Sequence, residues 1–258
     1  MIHSAYFSYD GVFSGDYGLQ VMEFDPSTIE ENEAFSPSLS TLKVPRLMRF
    51  YHGGIEYSTP PSCEFSIISE LPILPEIRAS VYRWLVGAKS FKPLQIHNED
   101  MESFVFYCVF TKANTIYING VCHGFRLTAT FDSPYARGKA TKVTVPGGTH
   151  TVTLRNKSDI PDGYVYPTVQ YTSNSGIKII NLTDDASRAF TIESYGKEET
   201  VTIDCEMRLI TGVESGNSAL SRFTEKNWLR LRPGNNTLQI TSSGSVTVTC
   251  PWYAAIGQ

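Results

Sequence analysis

Along much of the chain, apolar side chains recur at every second position, the spacing that places them on one face of a β-strand. Val201, Ile203, Cys205, Met207 and Leu209 alternate with Thr, Asp, Glu and Arg, which predicts one half-buried strand. Val143 and Val145, then Val152 and Leu154, make two alternating runs around Pro146-Gly147-Gly148. Pro cannot donate to a strand ladder and Gly accepts positive φ, so this pattern predicts a hairpin. Ile116-Tyr117-Ile118 and Val121-Cys122 flank Asn119-Gly120, the pair that a tight type I′ turn favours. Leu229/Leu231, Leu238/Ile240 and Val246/Val248/Cys250 read as three short strands of a C-terminal meander, divided by Pro233-Gly234-Asn235-Asn236 and Ser242-Ser243-Gly244. Phe104 to Phe110 is an unbroken apolar and aromatic run of seven residues. It is too short for a typical helix and suits a strand buried on both faces at the centre of a sheet. One segment has helical spacing. After Pro75, Ile77, Val81, Trp84 and Leu85 fall at i, i+4, i+7 and i+8, and Gly87 ends the pattern.

The elements predict an all-β protein with one short helix, and the composition agrees. Among 258 residues, 41% are hydrophobic and 12% aromatic, enough for a real core and unlike a disordered chain. The net charge of −4 gives no reason to expect stable nucleic-acid binding through bulk charge. No window approaches the roughly 18 apolar residues of a membrane span, and the opening Met1-Ile2-His3-Ser4-Ala5-Tyr6 lacks the pattern of a secretion signal. A soluble chain that is not exported is expected. The five cysteines, Cys63, Cys108, Cys122, Cys205 and Cys250, are odd in number and widely spaced, so they read as buried thiols rather than a disulfide framework or a zinc site.

Charge is unevenly distributed. Residues 1–135 hold 15 acidic and 9 basic side chains, whereas residues 136–258 hold 11 and 13. Asp10, Asp16, Glu23, Asp25, Glu30, Glu31 and Glu33 all precede Lys43, the first basic residue. With the turn-rich stretch Asp132 to Gly138 as the junction, two domains are expected, 1–135 and 136–258.

The sequence holds no recognisable catalytic arrangement. It has no G-x-S-x-G elbow, H-E-x-x-H pair, phosphate loop or G-x-G-x-x-G fingerprint. The histidines His3, His52, His97, His123 and His150 are scattered, and neither a metal nor a cofactor is expected. The adjacent carboxylates Asp184-Asp185 and Glu198-Glu199 read as turns or solvated edges, because neighbours on a strand point to opposite faces. Trp84 reads as core. Trp228 and Trp252 flank the last strands, where an exposed indole would suit sugar stacking and a buried one would supply packing.

Tyr9-Asp10-Gly11-Val12-Phe13-Ser14-Gly15-Asp16-Tyr17-Gly18-Leu19 resembles the opening of the distal tail proteins (Dit) of siphophages, bacteriophages with long non-contractile tails. Further stretches are similar to that family in the same order: Arg83-Trp84-Leu85, Lys92-Pro93-Leu94-Gln95-Ile96, Asp132-Ser133-Pro134-Tyr135-Ala136, Tyr166-Pro167-Thr168, Val201 to Cys205, Trp228-Leu229 and Arg232-Pro233-Gly234-Asn235-Asn236-Thr237. The motif positions so matched are Asp16, Tyr17, Gly18, Leu19, Trp84, Pro93, Pro134, Pro233, Gly234 and Asn235, all in structural roles. The resemblance implies a β-sandwich first domain that closes into a homo-hexameric ring, and a galectin-like β-sandwich second domain. It also implies a place in the virion at the tail tip, after synthesis in the host cytoplasm. The implied partners are the tail tube (major tail) protein, a tail-tip or tail-associated protein and a receptor-binding protein. The ring would leave a channel for DNA, and Glu30, Glu31 and Glu33 are candidates to line it. In some relatives the last strand packs back on the first domain, and Pro251-Trp252-Tyr253-Ala254-Ala255-Ile256 is the candidate to do so here. Two rival readings are a lectin-like module for a host wall saccharide and an accessory domain of a wall hydrolase; a non-enzymatic structural hub is the expectation.

Overall fold

The strands fall into two units, each with its own core, that divide between Ala136 and Arg137. The structure is a computed structural model that describes residues 6–22, 38–43, 50–56, 60–160, 163–173, 176–194, 199–212 and 222–255.

In the first unit the strands are β1 (Tyr6–Tyr9), β2 (Val12–Phe13), β3 (Leu19–Met22), β4 (Ser38–Lys43), β5 (Phe50–Glu56), β6 (Ser62–Ser69), β7 (Lys92–His97), β8 (Phe106–Ile118) and β9 (Val121–Phe131). The helix α1 spans Pro75–Val86. Seven strands make one antiparallel sheet in the order β2-β1-β7-β8-β9-β6-β3, while among the described residues β4 and β5 pair only with each other. Sequence chemistry sets both tight turns of the large sheet. Asp10-Gly11 joins β1 to β2 with φ of 49° and 79°, and Asn119-Gly120 joins β8 to β9 with φ of 51° and 79°, as a type I′ turn requires.

Phe7, Tyr9, Leu19, Ile67, Leu94, Cys108, Phe110, Phe125 and Leu127 form the core of this unit, covered by Val81 and Leu85 of α1. Each large apolar side chain so buried contributes about 2 kcal/mol. Two expectations are corrected here. Ile77 is 40% exposed, because the helix meets the sheet only through its later turns. The aromatic run enters the sheet at Phe106, and β8 is indeed the central strand, but only Cys108 and Phe110 are buried, while Tyr107 and Val109 are half-buried on the other face.

The second unit contains β10 (Ala136–Val145), β11 (Gly148–Asn156), β12 (Thr168–Ser173), β13 (Ile177–Asn181), β14 (Ala189–Ile192), β15 (Glu199–Asp204), β16 (Leu209–Thr211), β17 (Phe223–Lys226), β18 (Gly234–Ser242) and β19 (Val246–Ala254). They form two five-stranded sheets, β10-β19-β12-β15-β16 and β11-β18-β13-β14-β17. Val169, Val201, Ile203 and Val248 from one sheet share a core with Ile179, Phe190, Leu238 and Ile240 from the other, the arrangement of a β-sandwich.

Four predicted elements of this unit differ in the structure. Pro146-Gly147-Gly148 makes no hairpin but carries the chain from one sheet to the other, since β10 and β11 lie in different sheets. The C-terminal meander is likewise split: β18 belongs to one sheet and β19 to the other. The two crossing links pack together, and a Cβ on Gly147 would stand 2.3 Å from the Ser243 carbonyl oxygen. Leu229 and Leu231 are buried, yet their segment makes only the isolated bridge Val165↔Leu231. The predicted strand from Val201 to Leu209 stops at Asp204, whose carboxylate accepts the backbone N–H groups of Glu206 (3.0 Å) and Met207 (2.9 Å). With Arg208 at φ 55°, the chain reverses there and β16 pairs back on β15, leaving Met207 73% exposed. Pro251 to Ala254 belong to β19 within the second unit's own sheet, whereas Ile256 lies outside the described residues.

Candidate functional site

Trp84 sits at the centre of an aromatic cluster in the first unit that includes the motif residue Tyr17. Its indole Nε1 donates to the Tyr9 carbonyl at 2.8 Å. Its ring stacks on Phe7 (centroids 5.7 Å, planes at 6°) and on Tyr17 (5.4 Å, 24°). A short 3-10 turn, Ser14–Tyr17, delivers Tyr17, and Gly18 ends it at φ 64°, a left-handed conformation that favours glycine. Leu19 then enters the core. Asp16 is exposed on this turn. Pro93 joins the arrangement through its carbonyl, which accepts the Asp10 N–H at 3.0 Å, and Lys92 pairs with Asp10 at 3.2 Å. Thus Tyr17, Gly18, Leu19, Trp84 and Pro93 serve one packing centre that fixes the β1–β2 end of the sheet. Pro134 lies half-buried in the bend that leaves β9.

In the second unit the matched positions Pro233, Gly234 and Asn235 are exposed, and the next residue, Asn236, is fully buried. Its side chain accepts the Arg232 N–H (2.9 Å) and an amide N–H of Asn181 (2.9 Å), and donates to the carbonyls of Arg232 (2.8 Å) and Gly234 (3.1 Å). Asn156 donates to the carbonyls of Leu231 and Arg232, and Asn181 to that of Arg230. Three buried amides therefore satisfy backbone groups from Arg230 to Arg232, a segment whose ladder is limited to the Val165↔Leu231 bridge. Sequence reading missed Asn236 because Asn beside Gly and Pro signals only a turn, and it missed Asn156 and Asn181 because an isolated Asn at the end of a strand carries no signal of burial.

Asp184 is not a solvated edge: its side chain is 3% exposed. Arg230 Nε donates to Oδ2 at 2.7 Å, and Arg232 Nε donates to Oδ1 at 3.1 Å. Burial pushes this carboxyl upward, but hydrogen bonds from Arg230, Tyr164 and Arg232 outweigh it and hold the group below the usual aspartate range. Asp185 turns instead to the Ser187 N–H and hydroxyl. Glu198, Glu30, Glu31 and Glu33 lie outside the described residues.

The cysteines are unpaired, four buried and Cys63 half-buried. Burial pushes the thiols of Cys63 and Cys250 up to about 11 and that of Cys205 up to about 12, so they are neutral and unreactive at pH 7. No group of three metal-type side chains occurs among the described residues, and no helix among them is long and apolar enough to cross a membrane. His97 meets the Ser8 hydroxyl at 2.8 Å beside the exposed rings of Tyr6 and Phe13. Trp228 packs on Phe223 and Phe190, a structural position. Trp252 is half-buried, with the Lys157 ammonium 5.6 Å from its ring.

Two family models match the sequence. One describes the N-terminal domain of phage tail proteins and spans residues 2–133; the other describes a phage tail C-terminal domain and spans residues 135–250. The chain belongs to this phage tail protein family. Among solved structures the tail protein matches SPP1 Dit (gp 19.1), titled a paradigm of the hub adsorption apparatus in phages that infect Gram-positive hosts. The TM-score is 0.69 at 15% identity, over 96% of this chain and 98% of that one. It also matches a chain of the phage P2 baseplate in its activated conformation with Ca, with a TM-score of 0.59 at 8% identity, over 98% of this chain and 99% of that one. The same baseplate with Sr gives 0.58 at 8% identity and the same coverage. At such identities the likeness lies in the fold, and the fold is that of a Dit protein. No curated protein matches the sequence.

Proposed function

We propose that this tail protein is the hub at the distal end of a siphophage tail. Six copies close into a ring through the first unit, which joins the tail tube protein on one side to tail-tip proteins on the other. The second unit, a galectin-like sandwich in this reading, faces the tip and offers a seat for a receptor-binding protein. The observation that carries the proposal is the β4–β5 hairpin. Among the described residues its strands pair only with each other, and the side chains from Leu39 to Lys43 are all exposed, with Leu39 at 60% and Leu42 at 64%. An isolated two-stranded hairpin is marginal in water, and a second copy offers the apolar cover it lacks. One copy's hairpin on the next copy's body is a head-to-tail contact, which generates a ring when the rotation closes. The channel would be acidic if Glu30, Glu31 and Glu33 face it, and a negative wall lets DNA slide without phosphate contacts.

Six chains of 28.8 kDa give a particle of about 173 kDa. Light scattering and negative-stain images of concentrated protein, or of assembled tails, are expected to show six-fold rings. Leu39→Asp/Leu42→Asp is expected to abolish them without lowering the melting temperature. A wild-type protein that stays monomeric and shows no ring in tails would refute the hub, whereas rings that survive the double substitution would refute only the role of the hairpin.

A further inference from the structure

The second unit concentrates more positive charge around Asp184 than its internal structure employs. Asp184 accepts two hydrogen bonds from Arg230 (2.7 and 3.4 Å) and one from Arg232 (3.1 Å). A carboxylate offers about four lone-pair sites, so these bonds occupy most of its accepting capacity. A third guanidinium, that of Arg188, stands 3.9 Å from the same carboxylate, beyond hydrogen-bond reach. Each guanidinium carries five N–H donors, more than the contacts to Asp184 use. Asp185, whose carboxylate is held by the Ser187 N–H and hydroxyl, keeps its charge and faces Arg188 electrostatically, so three guanidinium groups stand against two carboxylates.

The cluster is also held rigidly. The Arg230 guanidinium lies 3.9 Å from the centroid of the Tyr164 ring, and its backbone carbonyl is tied to Asn181. Both backbone polar groups of Arg232 are bonded to the fully buried Asn236. Yet the Arg232 and Arg188 side chains remain 51% and 33% exposed. Asp184 and Asp185 neutralise two of the three arginines, and the remaining positive charge is what a further anion would relieve. A planar carboxylate occupies one guanidinium fork, whereas a phosphate presents oxygens in several directions and suits two forks that are not coplanar. We propose that Arg188 and Arg232, presented on the Asp184 scaffold, bind a phosphate group from solution, carried either by the free ion or by a phosphodiester polymer. This inference does not depend on the hub reading, and the experiment below does not involve ring formation.

Full-length protein titrated calorimetrically with sodium phosphate, at ionic strength held constant with sodium chloride, is expected to bind saturably. Arg188→Ala/Arg232→Ala is expected to weaken binding at least tenfold. Should that variant not fold, Arg188→Lys/Arg232→Lys keeps the charge but loses the forks, and the same loss is expected at an unchanged melting temperature. A glycerol phosphate polymer distinguishes the sources: tighter binding per phosphate than the free ion assigns the site to a polymer, and equal binding assigns it to the ion. Absence of saturable binding, equal affinity in the folded variant, or preference for a hexaglutamate peptide over phosphate would each overturn the proposal, the last by making the site a seat for an acidic protein.

Discussion

At the scale of single residues, Trp84 shows how packing and one hydrogen bond share a load. Its ring covers Phe7 and Tyr17, and its N–H satisfies the Tyr9 carbonyl. Trp84→Ala removes both and is expected to cost about 3 kcal/mol, the lower end for a truncated aromatic because the indole is half-buried. Trp84→Phe keeps a ring for stacking but leaves the carbonyl without its donor, and is expected to cost about 1 kcal/mol. Denaturant unfolding monitored by circular dichroism checks both; equal stabilities of the two variants would show that the hydrogen bond, rather than the stacking, carries the position.

At the scale of elements, close approach of backbones matters as much as side-chain pattern. Gly124 in β9 lies opposite Ile68 in β6, and a Cβ there would stand 2.1 Å from the Ile67 carbonyl oxygen. The same glycine pairs with Ile116, next to the register shift between Ile116 and Tyr117 in β8. Gly124→Ala must therefore push β6 away from β9 at the end of their ladder. The expected loss is about 2–3 kcal/mol, as for overpacking in a tight core, with faster hydrogen exchange along β6. A variant as stable as the wild type would show that β6 yields without cost. Asn119-Gly120 contrasts with it: a Cβ on Gly120 meets nothing within 4 Å, so there only the positive φ calls for glycine.

At the scale of the whole molecule, the two units have separate cores and separate sheets. Each buries its own large side chains, which is the condition for independent folding. Residues 1–136 and 137–258, expressed separately, are each expected to unfold in one cooperative thermal transition. In the proposed assembly only the first of them forms rings. A fragment that lacks a transition in calorimetry would show that its core depends on the other unit.

What the sequence determined by itself is local. Period two marked which side chains face inward, because alternation is a property of the strand and not of its partner. Asn119-Gly120 was legible as a turn because positive φ is a demand on those residues alone. Pro75 announced the helix start for the same reason, and the ordered motifs from Tyr9 to Thr237 sufficed for the family. Tertiary structure decided what alternation leaves open. A strand with one apolar face fits either sheet of a sandwich equally well, so nothing in the residues 143–154 or 238–250 said that β10 and β11, or β18 and β19, would part across the core. The strand that ends at Asp204 was overruled by its own carboxylate, which found two backbone N–H groups. Asp184, Asn156, Asn181 and Asn236 stayed hidden because a polar residue in a turn-like stretch looks the same whether water or a buried backbone group receives its hydrogen bonds. Only folding brings Arg230, Arg232 and Arg188 to one carboxylate, and only there do polar residues that read as loop become a built site.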